Sequence, residues 1–105
     1  MQAETSHIDE LLECLVFLTR FYGVPNSQDA LTTGLPLVSG RLSTALFSRA
    51  AARGGLSARE VIQPLENISP LLLPCVLQTR QGGACILLEW NKDRSQAKVI
   101  FPQAG

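Results

Sequence analysis

The sequence predicts an α+β fold in a single domain spanning residues 1–105, with three N-terminal helices packed on an antiparallel β-sheet. Three observations carry that prediction. The stretch Ser6 to Gly23, SHIDELLECLVFLTRFYG, is apolar on nearly every helical face and has capping signals at both ends. Past Gly55 the texture changes from helical periodicity to short apolar runs broken by turn residues. Between two of those runs, Gln81-Gly82-Gly83 has the composition of a hairpin turn.

In the first helix, Ser6 followed by Asp9 reads as a capping pair, a hydroxyl for the orphan N–H groups and a carboxylate at the positive helix end. Gly23 supplies a left-handed exit and Pro25 forbids continuation. Ile8, Leu11, Leu12, Leu15, Leu18 and Tyr22 form one stripe, and Cys14, Phe17 and Phe21 flank it, so burial on more than one side is expected. Asn26, Ser27 and Asp29 signal a second N-terminus, and Gly34 stops a short helix there. Pro36 holds the Leu35–Gly40 loop extended. Ser43 is the next N-cap, with Leu42 and Phe47 as a hydrophobic staple; that helix runs through Ala50, Ala51 and Ala52 to Gly54-Gly55. Its small alanines suit close approach, and the Ser6–Gly23 helix is the expected neighbour.

Leu56–Gln63 is read as a strand on Val61-Ile62 before Pro64, although Ser57-x-x-Glu60 is also a helix-cap pattern. Leu65–Ser69 makes a single helical turn. Leu72–Thr79, Ala84–Trp90 and Ala97–Phe101 then form a three-stranded antiparallel meander, with Pro74 near the start of the first strand and Asn91–Ser95 as the second turn.

A chain of this length buries roughly 60–70% of its unfolded surface, enough for one modest core. Nine Lys and Arg balance nine Asp and Glu, which leaves no basic field for nucleic acid. No apolar run reaches the ~18–20 residues of a membrane span, and no signal-type N-terminus is present, so the chain reads as soluble and unexported. The three cysteines show no C-x-x-C and no metal-type spacing, and reduced cytosolic thiols are expected. Neither a cofactor nor a metal is expected.

Cys14 and His7 are the one nucleophile and base pair on offer, but they lie about 10 Å apart along one helix, and proton transfer needs about 3 Å. A core thiol and a helix-start imidazole describe them better. Cys75 and Cys85 on adjacent strands suit packing. No G-x-S-x-G, phosphate loop or H-E-x-x-H occurs. Asp9, Glu10 and Glu13 form an acidic cluster that complements a helix dipole more readily than it makes an acid pair. Trp90 and Phe101, at strand ends, fit a binding surface and a core edge equally.

The run Glu13 to Gly23, with Gly34-Leu-Pro-Leu, Arg53-Gly-Gly-Leu-Ser, Ile68-Ser-Pro-Leu-Leu-Leu-Pro74, Gly83-Ala-Cys-Ile-Leu-Leu88 and Phe101-Pro102, resembles a known pattern. It is similar to the N-terminal domain of type I secretion ABC exporters, related to the bacteriocin-processing cysteine peptidases, family thirty-nine. The branch most resembled is that of repeat-in-toxin adhesin and haemolysin exporters. The resemblance implies a papain-like fold.

In active members of the resembled family an Asp-Cys-Gly triplet opens the central helix, four residues before a Cys that corresponds to Cys14, so the nucleophile position falls on Glu10. The family's His falls on Ala84, its Asp on Phe101 before Pro102, and its oxyanion-hole Gln on Glu4. Loss of such a triad costs orders of magnitude in rate, so a degenerate, non-catalytic peptidase-like domain is expected. By resemblance it binds an unfolded repeat-in-toxin protein at the cytoplasmic face of the bacterial inner membrane, next to transmembrane and ATPase parts beyond this chain. Glu10, Ala84, Trp90 and Phe101 are the candidate substrate-binding residues. Family members usually continue past the Phe-Pro position with a further strand. Two alternatives stand beside this reading: an active leader-processing cysteine peptidase using Cys14, and a freestanding module that self-associates through its sheet.

Overall fold

The computed structural model describes residues 9–79 and 83–102. Three helices, α1 (Glu10–Phe21), α2 (Gln28–Thr32) and α3 (Thr44–Arg53), precede β1 (Cys75–Gln78), β2 (Ala84–Trp90) and β3 (Ala97–Ile100). The strands form one antiparallel sheet in the order β1-β2-β3. The α+β architecture and the meander are therefore those expected.

α1 begins later than the capping pair predicts. Ser6 lies outside the described residues, and Asp9 is itself the N-cap, its carboxylate accepting from the Leu12 N–H at 3.2 Å. The other oxygen of Asp9 accepts from the Leu42 N–H at 2.7 Å, so one side chain satisfies a helix end and fixes the approach to α3. Glu10 and Glu13 follow in the first turn, where the helix dipole favours negative charge. The C-terminus behaves as expected: Gly23 takes φ +77° and the chain turns away.

Leu11, Leu12, Cys14, Leu15, Val16, Leu18 and Thr19 of α1 are buried. Each fully buried Leu contributes about 1.5–3 kcal/mol through area removed from water. Burial on more than one side is therefore as expected, but it does not reach the C-terminal end of the helix. Phe17 is partly buried, while Phe21 and Tyr22 are 50% and 51% exposed. α2, capped by Ser27 as expected, contributes Leu31 to the same core. α3 packs chiefly on α2 rather than on α1; its Ala50 and Ala51 are buried in the shared cluster. Ser43 occupies the N-cap position without a side-chain hydrogen bond, and Leu42 is buried beside a partly buried Phe47.

The expected strand over Leu56–Gln63 does not form: residues 56–64 are irregular, and Ile62 is 95% exposed. An apolar pair before Pro64 has no strand beside it to complete a ladder, and strand character needs a partner. Leu65–Asn67 is the expected single turn, in 3-10 form. Pro70–Leu72 makes a second, capped by the Ser69 hydroxyl on the Leu71 N–H, so the following strand starts at Cys75 instead of Leu72. Gln81 and Gly82 of the expected hairpin turn lie outside the described residues.

In the sheet, Val76, Ile86 and Ile100 form one cross-strand row that packs against the α1 cluster. Cys75, Leu87 and Val99 form the neighbouring row, which points to the opposite face by the two-residue alternation of strands. β2 is thereby covered on both sides from Ala84 to Leu87. An irregularity between Leu87 and Glu89 shifts the register against β3.

Candidate functional site

Two of the four candidate residues meet at the junction of α1 and β2. Glu10, in the first helical turn, accepts the backbone N–H of Ala84, the first residue of β2, at 2.9 Å. Ala84 is only 3% exposed. Beside it, the Gly83 N–H donates to the Thr79 hydroxyl at 2.9 Å, and the Thr79 N–H donates to the Gly83 carbonyl at 2.9 Å. A Cβ on Gly83 would stand 2.8 Å from Glu10 Oε1 and 3.2 Å from Thr79 Oγ1. The Glu10 carboxylate thus fills the space between helix and hairpin, and a larger residue at position 83 would have to displace it.

The acidic cluster divides among separate partners. Asp9 caps α1 and holds Leu42, Glu10 holds Ala84, and Glu13 accepts from the Gln28 amide at 2.9 Å. Each of these carboxylates therefore has its own hydrogen-bond donors. Among the described residues, no three His, Cys, Asp or Glu side chains gather into a metal site.

Cys14, one turn after Glu10 on α1, is fully buried, and its thiol is pushed up to about 12, first by burial and then by Cys85, Glu10 and Glu13. Cys75 and Cys85 are also raised, again chiefly by burial, with Cys85 acting on Cys75 and Glu10 acting on Cys85. All three are free thiols, and near neutrality they carry no thiolate with which to attack a carbonyl. His7 and Glu4 lie outside the described residues.

Phe101 sits elsewhere. It follows β3, is 54% exposed, and with Val99, Ile100 and Pro102 forms one wall of a hollow of about 450 Å³. Glu13, Val16, Phe17 and Arg20 of α1 form the other wall, and neither Glu10 nor Ala84 lines it. Trp90 lies at the far end of β2 from Ala84. Its indole N–H donates to the Ile68 carbonyl at 3.3 Å, and the Arg94 guanidinium lies 5.3 Å over its ring while donating to the carbonyls of Glu66 and Ile68. Trp90 thus ties the β2–β3 hairpin to the 3-10 turn. The four candidates fall at three places.

Sequence reading missed Val16, Phe17 and Arg20 as lining residues. The signal was present: Glu13, Val16, Phe17 and Arg20 recur at helical spacing, giving an apolar patch with a charge at each end.

No protein-family model matches the chain, and no curated protein does. A solved structure does: the crystal structure of the N-terminal peptidase C39 like domain of the toxin secretion ATP-binding protein from Vibrio parahaemolyticus. It is 42% identical, with a TM-score of 0.86 over 93% of this chain and 78% of that one. The chain belongs to this peptidase-like family. In this chain the start of α1 and the start of β2 face each other across a closed junction, and the open concavity lies between α1 and β3. No helix among the described residues is long and apolar enough to cross a membrane.

Proposed function

We propose that this peptidase-like chain is the N-terminal, non-catalytic domain of a type I secretion exporter, which binds an unfolded repeat-in-toxin protein before export. The related domain from Vibrio parahaemolyticus belongs to a toxin secretion ATP-binding protein, which supports the exporter setting. The observation that carries the non-catalytic reading is the Glu10 carboxylate hydrogen-bonded to the Ala84 N–H. By resemblance those two positions hold a cysteine nucleophile and its histidine base. A carboxylate and a methyl group supply neither a thiolate nor a proton acceptor aligned to make one.

A working peptidase built on Cys14 is disfavoured by the thiol's complete burial and its pKa near 12. Among the described residues, exposed aromatic side chains and a hollow whose apolar walls carry a charge at each end could receive an extended polypeptide. Exporter membrane and ATPase parts are the partners in this reading, and the domain sits at the cytoplasmic face of the inner membrane. The test is incubation with a denatured C-terminal segment of a repeat-in-toxin protein encoded beside the exporter. Fluorescence anisotropy reports binding and mass spectrometry reports integrity. Saturable binding of an uncut segment is expected; new peptide termini that this protein generates would overturn the non-catalytic assignment.

A further inference from the structure

Cys75 and Cys85 take no part in the junction of α1 and β2, and the sheet register brings them together. On the antiparallel pair β1–β2, Cys75 stands opposite Leu87 and Cys85 opposite Leu77, so the two cysteines are diagonal neighbours. Residues two apart on a strand share a face, which puts both thiols on the same side of the sheet. It is the side away from α1, whose cluster takes Val76, Ala84 and Ile86 instead. Both thiols are free. Cys85 is 8% exposed and Cys75 is half-buried, which leaves a way in from solvent. Burial, and after it the charge of Cys85, raises the Cys75 thiol, so the two sulfurs feel one another.

Distance decides what can join them. Diagonal neighbours of an antiparallel pair lie about 7–8 Å apart, whereas a disulfide usually needs Cα atoms about 4.4–6.8 Å apart. A direct sulfur–sulfur bond falls short. Two metal–sulfur bonds of about 2.3 Å each, in place of one S–S bond of about 2 Å, lengthen the bridge by about 2.5 Å and cover the gap.

Ligand number and charge select the ion. Thiolates are soft ligands. Zinc completes a tetrahedron, and among the described residues no three His, Cys, Asp or Glu side chains gather to begin one. Two ligands suit a soft ion that is content with two-coordination. Two thiolates carry two negative charges, and a divalent ion cancels both. Burial first and Glu10 next raise the Cys85 thiol, so a bridge left with net negative charge is penalised there.

We propose that Cys75 and Cys85 together hold one thiophilic divalent cation in two-coordinate form. Each thiol releases a proton as its sulfur takes the metal: M2+ and two RSH give neutral M(SR)2 and two H+, with no change of oxidation state. Cys14, buried in the cluster on the other side of the sheet, is not a ligand. The site stands whether or not the domain receives an export substrate.

Mercuric ion is the probe, added at one equivalent to the full 105-residue chain with no other thiol present. Native mass spectrometry should show one mercury on one chain with two protons lost. Alkylation in denaturant followed by peptide mapping should find Cys14 modified, with Cys75 and Cys85 protected together. Cys75→Ser and Cys85→Ser should each lose at least about tenfold in competition with glutathione, because a chelate becomes a single bond. Circular dichroism confirms that each variant is folded. Mercury bridging two chains, mercury on one thiol with the other still alkylated, or Cys14 among the protected pair overturns the proposal. So does a competition that either serine variant leaves unchanged.

Discussion

The junction of Glu10, Gly83 and Ala84 makes a quantitative prediction. Glu10→Ala removes the acceptor of an Ala84 N–H on a residue that is 3% exposed. Leaving that donor buried and unpaired costs about 1–3 kcal/mol, and losing a first-turn carboxylate costs about 0.3–1 kcal/mol more. The sum centres on about 2.7 kcal/mol, a large share of a small domain's stability. Glu10→Gln keeps a carbonyl acceptor and should lose only about 0.5–1 kcal/mol.

Gly83→Ala puts a Cβ 2.8 Å from Glu10 Oε1. The carboxylate is the mobile end of its side chain, so it yields and the same hydrogen bond is broken, at a cost of about 1–2 kcal/mol. Both single changes thus disrupt one contact, and the double variant should be more stable than the sum by about 1 kcal/mol or more. Urea unfolding followed by the fluorescence of Trp90, the single tryptophan, measures all four species in one cycle. Additivity within about 0.5 kcal/mol, or a neutral Glu10→Ala, would refute a stabilising role for the Glu10–Ala84 hydrogen bond.

Three further outcomes are expected. Asp9→Asn leaves one oxygen for two donors and turns an amide N–H toward either Leu12 or Leu42, so urea unfolding should show a loss of about 1–3 kcal/mol, with Asp9→Ala at least as severe. Arg94→Ala loses the two carbonyl contacts and the stacking on Trp90, for about 1–2 kcal/mol. Because Arg94 sits at φ +62°, Arg94→Gly should recover part of that loss, as thermal melts of the two variants will show. Cys14 should resist iodoacetamide at pH 8.5 until the chain unfolds. Its folded pKa is raised, so its stabilising contribution is complete below about 9 and falls away as pH climbs toward about 12; denaturation midpoints against pH check the sign.

Helix and strand texture made the fold class legible from sequence, because α1 through β3 follow local periodicity. What escaped was set by contacts distant in sequence. Asp9 reads in sequence as the partner of Ser6 in a capping pair, yet it is itself the N-cap of α1, and its second oxygen accepts from the distant Leu42 N–H. Val61-Ile62 had strand composition but no strand to pair with. Phe21 and Tyr22 matched the apolar stripes by spacing, yet each is about half exposed. At the site, Glu10 and Ala84 were singled out by resemblance, and geometry places them in contact; Phe101 and Trp90 belong to other surfaces because β2 and β3 carry them away from that junction. The hydrogen bond itself was invisible to sequence, since no local pattern links residues so far apart in the chain.

The central claim is that this peptidase-like domain holds an unfolded polypeptide without cutting it. A two-dimensional amide NMR titration with the denatured C-terminal segment of a co-encoded repeat-in-toxin protein tests it most directly, following Glu10, Ala84, Phe101 and Val99. The account predicts saturable shifts along α1 and the sheet, with the segment intact on a gel at the end of the titration. A spectrum that does not change at millimolar segment, or a segment found cleaved, would contradict it.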